Sequence, residues 1–539
     1  MGSGSGMGSG SAPESTRPAG ADRLAGTARK AGESWRAAGA GAASVLAGVG
    51  AAELLSAFAV QDGSPILVVG ALVIDLTPAW LKNAVIGVFG TGDKAFLISS
   101  LAVVLLVGGA LAGWLELRRP PVGRILIGVG GALGVLAAIT RAGSSIVNVV
   151  PSALAALVAI LFLGWLAGLL RGTRPTRIAP QGEVSRRHFV TATAASAAGG
   201  ILATLIGQAI ATGYRAASAA RAAFHLPKPA VAAPPVPAGA SFDIGGLAPI
   251  ITPNADFYRI DTALQIPGID PSAWRLRITG MVEKEVELTF TELLALPLEE
   301  SVTTLTCVSN EVGGDLISTA KWLGYPIRHL LARAKPTSDA DMVLSRSQDG
   351  WTAGTPLEAL TDGRNAILAV GMNGQPLPLE HGYPVRMVVP GLYGYVSATK
   401  WVVELNVTRF DKATSYWTDR GWSERGPVKL ESRIDVPGDG KQVKAGTVAV
   451  AGVAWSQHVG VSAVHVQIDG VDWQEATLAD AISADTWRQW KYAWDATPGS
   501  HTIKVRATDA HGTMQTSKVQ DVVPDGATGL HTIGVSVVG

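Results

Sequence analysis

The sequence predicts a multi-domain protein with an α-helical membrane bundle of about five spanning helices, a soluble α+β domain and a C-terminal β-sandwich. The chain has 539 residues, of which 47% are hydrophobic and only 16% charged, so it is too apolar for an ordinary soluble protein and too long for one domain. The apolarity is also uneven. Residues 40–213 are rich in Ala, Gly, Leu and Val, whereas residues 240–539 have a mixed composition and hold most of the tryptophans. A membrane unit is therefore expected to precede a soluble unit.

Five apolar stretches account for the spanning helices. A helix needs about 20 residues to cross a bilayer core of about 30 Å. Four stretches approach or exceed that length and the fifth, 125–140, spans with its flanks; the five cover 40–60, 95–115, 125–140, 149–170 and 189–212. Gly109 and Gly113 have a small-xxx-small spacing, which allows two helices to approach closely.

The segment 64–90 decides the orientation of the chain. Asp75, Pro78 and Lys82 interrupt it and leave two apolar halves, each too short to span. If this segment is re-entrant or interfacial, the arginine-rich stretches before residue 40, after 115 and after 170 all lie on one side, which the positive-inside rule makes cytoplasmic. The soluble part is then extracytoplasmic, on a multi-pass protein of the cell membrane. If the segment crosses instead, the soluble part is cytoplasmic.

The last apolar stretch follows a pair of arginines. Residues 185–190 (SRRHFV) resemble a twin-arginine export signal, although Val190 and Thr191 stand where such signals more usually have Leu and Lys. A signal of this type would export the domain already folded with its cofactor. The alternative is an ordinary cytoplasmic anchor that contains two arginines.

Composition also places the remaining boundaries. Residues 1–38 are expected to form a disordered cytoplasmic tail, 39–213 the transmembrane domain and 214–240 an Ala/Pro-rich linker whose part from residue 224 is an extended spacer. The α+β domain then covers 241–425 and the sandwich 426–539. Within the α+β domain, alternation predicts a strand over 274–280, a capping pattern predicts a helix that starts near 288, and helical periodicity covers 322–334.

The C-terminal residues alternate apolar and polar positions in short runs. Strands are predicted over 448–455, 462–467, 488–494 and 501–508, with turns at 469–470, 498–499 and 511–512. Strands at this spacing are typical of an antiparallel β-sandwich of immunoglobulin type. The tryptophans in this region are interpreted as core and interface residues, and they are Trp473, Trp487, Trp490 and Trp494.

Several kinds of protein are excluded by what the chain lacks. The Lys and Arg residues of the soluble half are scattered and the net charge is +1, so there is no basic stripe for nucleic acid. One cysteine is too few for a CxxC zinc site, an iron–sulfur cluster or a CxxCH haem attachment. The first histidine is His188, so paired histidines cannot hold a haem b within the helix bundle.

The single cysteine, Cys307, has two interpretations. An isolated cysteine is most often a small buried apolar residue, but a soft thiolate is also a ligand that a redox metal selects. Its surroundings favour the second interpretation. Five blocks occur in order over about 145 residues, at 257–259 (FYR), 274–280 (WRLRITG), 304–310 (TLTCVSN), 372–386 (MNGQPLPLEHGYPVR) and 389–401 (VPGLYGYVSATKW). Together they resemble the molybdopterin domain of the sulfite oxidase family.

This resemblance implies a set of functional residues. It implies a molybdenum ion bound by a pterin dithiolene, with Cys307 as the protein ligand, and a cofactor-binding set of Cys307, Asn310, His381, Arg386, Gly391 and Lys400. By similarity, the basic side chains hold the pterin phosphate through charge-assisted hydrogen bonds and Gly391 allows close backbone approach. The expected catalytic residues are Cys307, Arg259 and Trp351, the last in place of the family's usual tyrosine.

One departure bears on the substrate. An arginine that helps to bind sulfite usually follows the Cys-x-x-Asn block, but residues 311–314 here are EVGG. The negative charge of Glu311 would repel sulfite in a low-dielectric pocket. We therefore expect a membrane-anchored, extracytoplasmic molybdenum oxidoreductase that transfers an oxygen atom and two electrons to or from a small substrate other than sulfite.

Two other functions stay open. One is a reductase of sulfoxides or N-oxides that draws electrons from the quinone pool, and the other is a non-catalytic, membrane-tethered binding protein that keeps the fold. No haem or iron–sulfur cluster is expected, so electrons need a separate carrier or membrane quinone. Residues 452–456 and 466–470 resemble the family's dimerisation domain, which implies a possible homodimer. The remaining expected partner is membrane lipid.

Overall fold

The structure is a computed structural model that describes residues 19–59, 63–89, 92–140, 146–171, 186–210, 212–263 and 266–539. These residues form two compact units. The first contains the described residues within 1–72, 95–140 and 144–210, and the second contains those within 73–94 and 211–539. The segment 73–94 therefore belongs structurally with the soluble domains that follow it much later in the chain.

The N-terminal part of the chain is helical. Its helices are α1 (Ala19–Ala59), α2 (Pro65–Leu76), α3 (Ala79–Phe89), α4 (Asp93–Arg118), α5 (Val122–Ile139), α6 (Val150–Arg171) and α7 (Arg186–Ile210), with a 3-10 turn at Ile146–Val149. Five helical stretches are long and apolar enough to cross a membrane, by length and composition: Glu33–Ala57, Asp93–Arg118, Val122–Ile139, Val147–Arg171 and Arg187–Ile206. The predicted number of such helices is confirmed within the described residues.

Small residues bring two of these helices together. A Cβ atom added to Gly41 of α1 would lie 2.6 Å from the backbone nitrogen of Gly113 and would also meet Gly109, both on α4. The backbones of α1 and α4 can approach this closely only because these positions lack side chains. The predicted small-xxx-small pair therefore lies at a helix–helix contact.

One sequence-based expectation for this region needs correction. Helix α1 begins at Ala19, so residues 19–38 are helical where the sequence predicts a disordered tail; the Ala-rich composition of this stretch favours a helix. Residues 1–18, and Ser185 of the predicted export signal, lie outside the described residues. The segment 64–90 forms α2 and α3, of 12 and 11 residues, separated at Thr77 and Pro78, and each is shorter than a spanning helix.

The predicted linker packs on the α+β domain and is not a free spacer. Its first part is α8 (Thr212–Ala223), and Phe224 and Leu226 then pack against the apolar core of that domain. The backbone nitrogen of Ala230 donates to the carbonyl oxygen of Leu298 at 2.7 Å, and Val231 forms a bridge with Glu299. The burial of apolar side chains and this pairing along a strand edge hold the segment in place.

The α+β domain contains one mixed sheet and one antiparallel sheet. Its strands are β1 (Arg275–Gly280), β2 (Val286–Thr289), β3 (Glu299–Thr306), β4 (Ile317–Pro326), β5 (Met342–Ser347), β6 (Thr352–Pro356), β7 (Ile367–Met372), β8 (Gln375–Pro376), β9 (Arg386–Val388) and β10 (Val402–Thr408). The mixed sheet has the order β2-β1-β10-β5-β6, in which β1 and β10 are parallel, and the antiparallel sheet has the order β3-β4-β7-β8 with β9 paired to β7. The helices are α9 (Phe290–Leu294), α10 (Ile327–Ala334), α11 (Leu357–Thr361) and α12 (Gly394–Ser397).

Local sequence signals explain two of these elements and mislead at a third. The strand predicted over 274–280 is β1, and α9 begins with the expected capping box, formed by Thr289 and Glu292. The helix predicted over 322–334 is wrong in its first half. Residues 322–326 belong to β4, which pairs with β3 and β7, and α10 begins only after Pro326. A fully buried strand has no polar face, so its apolar run also fits a helical period.

The C-terminal domain is the expected two-sheet sandwich. Its strands are β11 (Glu431–Val436), β12 (Gln442–Lys444), β13 (Gly446–Trp455), β14 (Val461–Ile468), β15 (Gln474–Glu475), β16 (Thr477–Leu478), β17 (Arg488–Ala496), β18 (Gly499–Asp509) and β19 (Thr532–Val538). The sheets have the orders β11-β13-β17-β16 and β12-β19-β18-β14-β15. All four predicted strands are present. Trp490 and Trp494 lie in the sandwich core, as predicted.

The sandwich also supports the α+β domain at β3. Trp487 and Trp455 pack with Ile317 of β4, and the backbone nitrogen of Trp487 donates to Thr304 Oγ1 at 2.8 Å. Gln457 Nε2 donates to Thr306 Oγ1 at 2.7 Å, and both residues are buried. Because Thr306 is the last residue of β3, this hydrogen bond fixes the end of the strand that leads into Cys307.

We predict that Gln457→Leu destabilises the chain by about 1–3 kcal/mol, because the buried hydroxyl of Thr306 loses its hydrogen-bond partner from the sandwich. Thermal unfolding of the full chain in detergent, followed by circular dichroism, measures the effect. Gln467→Leu is the matched control, since the amide of Gln467 bonds to Val471 at the exposed end of the same domain and its loss should change stability by less than about 0.5 kcal/mol. Equal losses in both variants would contradict the prediction.

Candidate functional site

Cys307 is the first residue after β3, in a tight loop that returns to β4. Its backbone nitrogen donates to the carbonyl oxygen of Leu316 at 2.9 Å, and its own carbonyl accepts from the nitrogen of Asn310 at 3.1 Å. Asn310 Oδ1 accepts from the nitrogen of Leu316 at 2.8 Å. Gly313, at φ +80°, allows the left-handed turn that closes the loop. Cys307 and Asn310 are therefore both held by the local backbone.

The environment of the Cys307 thiol keeps it protonated until a metal binds. Cys307 is half-buried as a residue, and desolvation of its sulfur raises its pKa. Hydrogen bonds from Ser309 and the charge of Lys400 oppose that effect without reversing it. A metal ion that coordinates this sulfur would displace the proton, as metals do at protein thiols.

Three basic side chains converge from elements close to this loop. His381 ends a 3-10 turn at Leu379–His381, Arg386 is the first residue of β9, and Lys400 comes just before β10. All three are buried. Arg386 Nη1 donates to the carbonyl oxygen of His381 at 3.2 Å, and Lys400 Nζ donates to that of Glu380 at 3.0 Å. The structure therefore joins His381 and Arg386 by a hydrogen bond and bonds Lys400 to the residue before His381.

Several polar atoms in this group have no protein partner. His381 Nδ1 and Asn310 Nδ2 are buried without a hydrogen bond among the described residues. Arg386 bonds only to backbone oxygens and lies over the ring of Trp322 at 5.1 Å; within the described ranges it pairs with no carboxylate. His381 Nε2 lies 3.3 Å from the carbonyl oxygen of Asn254 and donates to it, so Nδ1 of the neutral ring is an acceptor, whereas Asn310 Nδ2 is a donor. Buried polar atoms of this kind are costly unless a ligand satisfies them.

Burial lowers the pKa of each of the three basic groups. The pKa of His381 falls to about 3, mainly through desolvation and then through the charges of Lys400 and Arg386. Desolvation lowers the pKa of Arg386 to about 10 and that of Lys400 to about 8; for Lys400, Asp261 partly opposes this effect. At neutral pH, His381 is therefore neutral while Arg386 and Lys400 carry positive charge.

A carboxylate that the sequence reasoning missed lies at the edge of this group. Asp261 Oδ2 accepts from Lys400 Nζ and from Arg259 Nε, each at 3.0 Å, and Oδ1 accepts from Lys94. Burial alone would raise the pKa of Asp261, but Lys400, Lys94 and Arg259 together hold it well below its ordinary value. The one signal in the sequence for this carboxylate is the i,i+2 spacing of Arg259 and Asp261. That spacing does not reveal that Lys94 and Lys400 also bind it.

A tyrosine next to Arg259 was also missed. Tyr258 stacks on Phe257 with ring centroids 5.4 Å apart. Burial raises the pKa of its phenol well above the ordinary value; a thiolate at Cys307 raises it further, while the charge of Arg386 lowers it. Tyr258 thus lies within electrostatic range of both the thiol and the cationic group.

Two of the predicted residues have contacts elsewhere and none with the three basic side chains among the described residues. Trp351 lies in the turn between β5 and β6, where its carbonyl oxygen accepts from the nitrogen of Ser347 at 2.8 Å, and no hydrogen bond or ring contact joins it to Cys307 among the described residues. Gly391 has φ +82°, and a Cβ atom there would lie 2.9 Å from the Cβ of His458. The turn and packing against the sandwich explain this glycine without a cofactor.

These features fit an anionic cofactor that brings its own metal ligands. Within the described ranges, no group of three or more His, Cys, Asp or Glu side chains is placed to hold a bare metal ion. Cys307 offers one thiolate, so further ligands must come from the cofactor. Arg386, Lys400 and the unpartnered amide nitrogen of Asn310 can donate to phosphate and other anionic oxygens. His381 Nδ1 can accept a hydrogen bond from a donor group of the cofactor. A metal pterin with a phosphate group meets both conditions.

Comparison with known protein families also indicates a molybdopterin cofactor. Residues 263–417 match the family model described as an oxidoreductase molybdopterin binding domain, and residues 431–505 match a bacterial Ig domain. The first match includes Cys307, Asn310, His381, Arg386 and Lys400 but begins after Arg259 and Asp261.

Curated relatives agree with these matches. The chain is 32% identical over 288 residues to mitochondrial sulfite oxidase of Mus musculus. The matched region covers 45% of this chain and 52% of that protein. It is 31% identical over 157 residues to the uncharacterized oxidoreductase YuiH of Bacillus subtilis, covering 29% of this chain and 76% of YuiH. It is 30% identical over 174 residues to the protein-methionine-sulfoxide reductase catalytic subunit MsrP of Campylobacter jejuni, covering 28% of this chain and 54% of MsrP.

The chain thus spans about half the length of the mouse sulfite oxidase but most of YuiH. The molybdopterin-domain match contains the loop of Cys307 and the basic residues of 380–400, and the relatives with a printed activity are both redox enzymes. The protein belongs to the sulfite oxidase family of molybdopterin-dependent oxidoreductases.

Proposed function

We propose that this protein is a membrane-anchored, extracytoplasmic molybdenum oxidoreductase that transfers an oxygen atom between water and a small substrate other than sulfite. The two electrons of this reaction pass to or from a separate carrier or membrane quinone. One observation carries the proposal: among the described residues, a buried arginine without an acidic partner, a buried lysine and two unpartnered side-chain nitrogens converge near a single thiol. When bound, the molybdenum cofactor would supply a metal that cycles between two oxidation states differing by two electrons.

The residues of the chain divide into three roles. Cys307 provides the protein's ligand to the metal through its thiolate. The guanidinium of Arg386 offers two parallel N–H donors to a phosphate, while Lys400 offers a point charge and Asn310 a neutral donor. His381 Nε2 donates to the carbonyl oxygen of Asn254, which leaves Nδ1 to accept a hydrogen bond from the cofactor. Arg259, which is 31% exposed, is the charged side chain at the more open end of the group and is assigned to the substrate.

The residue after Asn310 limits the charge of the substrate. Glu311 occupies the position where a second arginine would favour sulfite, and its side chain is exposed. An exposed charge acts through water, where two unit charges 4 Å apart interact by only about 1 kcal/mol. Glu311 therefore disfavours a dianion at the entrance modestly and offers it no partner.

A second candidate is the reduction of a sulfoxide, with electrons supplied by a separate carrier or membrane quinone. The observation that favours it is the similarity to MsrP, whose printed name is that of a protein-methionine-sulfoxide reductase. A neutral sulfoxide would not be repelled by Glu311. The two candidates differ only in direction, so assays with reduced and oxidised dyes distinguish them on one preparation.

Location and assembly complete the proposal. The five apolar helices support anchoring in a membrane. The arginine-rich stretches 17–36, 118–124 and 171–187 support an extracytoplasmic site through the positive-inside rule, and residues 185–190 support twin-arginine export. A homodimer is supported by the resemblance of residues 452–456 and 466–470 to the family's dimerisation domain.

We predict that Cys307→Ser abolishes function while the chain still folds. The wild type, purified from a host that makes the cofactor, should carry about one molybdenum per chain; this tests the cofactor assignment directly. The variant should lose the metal or change its electron paramagnetic resonance signal, and oxygen-atom transfer should fall by about 100-fold or more, since even outer partners of metal ligands contribute about 10- to 100-fold.

Thr361→Ala, at an exposed position of α11 in the same domain, is the control for this experiment. It should leave metal content and spectrum unchanged. A wild type without molybdenum, from cells shown to make the cofactor and export the protein, would instead favour the non-catalytic binding protein.

We predict that retention of the pterin weakens above about pH 8. The free site holds Lys400 with a pKa of about 8, and a bound phosphate would favour its protonated form. Affinity should therefore be constant below about pH 8 and fall by up to about tenfold per pH unit above it. The measurement is the rate of pterin release into buffer between pH 6 and 9.5.

Lys400→Arg is the control for this pH dependence, because arginine stays charged throughout that range. Its release rate should be nearly flat up to about pH 9. The same steep rise in wild type and Lys400→Arg would assign the pH dependence to another group.

We predict that Glu311→Arg increases kcat/KM for sulfite by about 3- to 30-fold at low ionic strength, because each of two charge changes contributes about 1 kcal/mol or less through water. The gain should shrink as salt is raised toward 0.5 M. Glu287→Arg reverses an exposed charge on β2 and should have no such effect. A sulfite rate unaffected by Glu311→Arg would show that charge at this position does not select the substrate.

A further inference from the structure

The segment 73–94 is attached to the α+β domain near both of its ends. At one end, Asp75 accepts from the hydroxyl of Tyr416 at 2.7 Å and from Arg420 at 3.2 Å, and Lys82 lies 5.2 Å above the ring of Trp417. At the other end is Lys94, in the first turn of α4. The segment is therefore fixed on this domain by charged and aromatic contacts at two separate places.

Lys94 makes its contacts beside the proposed cofactor site. Its ammonium donates to Asp261 Oδ1 and, at 2.6 Å, to the carbonyl oxygen of Ala263. The other oxygen of Asp261 receives Lys400 and Arg259. Asp261 thus links Lys94 by hydrogen bonds to Lys400 and Arg259. Lys400 is assigned to the pterin phosphate and Arg259 to the substrate.

This pair differs from an ordinary surface ion pair. The side chains of Lys94 and Asp261 are 20% and 7% exposed, whereas those of the Lys335–Glu283 pair are 65% and 64% exposed. Exposed pairs contribute little because water screens them, but a buried carboxylate must be paired. Asp261 therefore depends on its cations in a way that Glu283 does not.

The charges explain what Lys94 contributes. Lys400, Arg259 and Asp261 alone sum to one positive charge, and Asp261 would be shared between only two cations. Lys94 adds a further positive charge and occupies Oδ1, so that Oδ2 alone receives Lys400 and Arg259. Lys400 is then less strongly neutralised and keeps its charge available for an anion.

We propose that Lys94, acting through Asp261, is a positioning residue of the cofactor site, so that a residue at the start of an apolar N-terminal helix completes the charge of the pterin-phosphate pocket. The inference rests on the proposed function. It gives the N-terminal part of the chain a role in cofactor binding in addition to anchoring. Lys94 itself touches neither Lys400 nor Arg259 by a hydrogen bond; it acts on both through the carboxylate between them.

The test is a double-mutant cycle on the full chain in detergent. Wild type, Lys94→Met, Asp261→Asn and the double variant are purified from a cofactor-producing host, together with Lys94→Arg and the exposed control Lys335→Met. Pterin and molybdenum per chain, and the rate of pterin release on dilution, are measured for each. Thermal unfolding of the cofactor-free chains checks that every variant folds.

The expected result is weaker retention of the pterin in Lys94→Met, and this effect should require Asp261. Lys94→Met should release pterin about 3- to 10-fold faster than wild type, Lys94→Arg should stay within about twofold of it, and Lys335→Met should be unchanged. In the Asp261→Asn background, Lys94→Met should add less than about a twofold change, because its route of action is already removed.

With a wild type that carries cofactor, three results would overturn the inference alone. Lys94→Met could release pterin at the wild-type rate, Lys94→Met could speed release equally with Asp261 and with Asn at position 261, or Lys94→Arg could release pterin as fast as Lys94→Met. A variant that fails to unfold cooperatively without cofactor would make Lys94 a folding residue, which also overturns it. A wild type without molybdenum would overturn the proposed function and this inference together, so the two failures are distinguishable.

Discussion

The candidate site depends on the cost of buried positive charge. Arg386 and Lys400 are enclosed in protein, and of the two only Lys400 has a carboxylate partner among the described residues. Removing an ion from water costs several kcal/mol, which hydrogen bonds to backbone oxygens offset only in part. A domain that holds such cations next to the unpartnered amide donor of Asn310 is arranged for an anion. The 3-10 turn, β9 and the approach to β10 serve to place these groups within one short stretch of chain.

Cys307 has a different kind of support. Its loop is closed locally by Asn310, but the strand before it is fixed by the C-terminal sandwich through Gln457 and Trp487. Arg433 of β11 also donates to the carbonyl oxygen of Gly314 at 2.8 Å, within the same loop. The immunoglobulin-like domain is therefore part of what positions the thiol, whether or not it also forms a dimer. This explains why two domains with separate cores share a buried hydrogen bond.

Sequence patterns correctly predicted the elements whose structure depends on residues close together in the chain. The strands of the sandwich alternate because one face is buried, and the capping box at Thr289 satisfies donors within a single turn. Prediction failed where distant parts of the chain meet. Residues 322–326 are a strand because β3 and β7 flank them, and the Pro-rich segment near Ala230 is held by an edge contributed from residue 298. Nothing within either segment's own sequence identifies these partners.

The same reasoning separates the predicted site residues from the missed ones. Cys307, His381, Arg386 and Lys400 were identified because ordered blocks resemble a family. The structure joins His381 and Arg386 by a hydrogen bond and bonds Lys400 to the neighbouring Glu380. Asp261 was missed because its significance depends on Lys94, which lies 167 residues earlier in the chain. A lone aspartate in a sequence gives no sign of burial. A carboxylate buried among cations lowers the net charge of the site, so its partner determines how much charge remains for a phosphate. The affinity of this site for its cofactor is therefore a property of the chain from Lys94 to Lys400 and not of the molybdopterin domain alone.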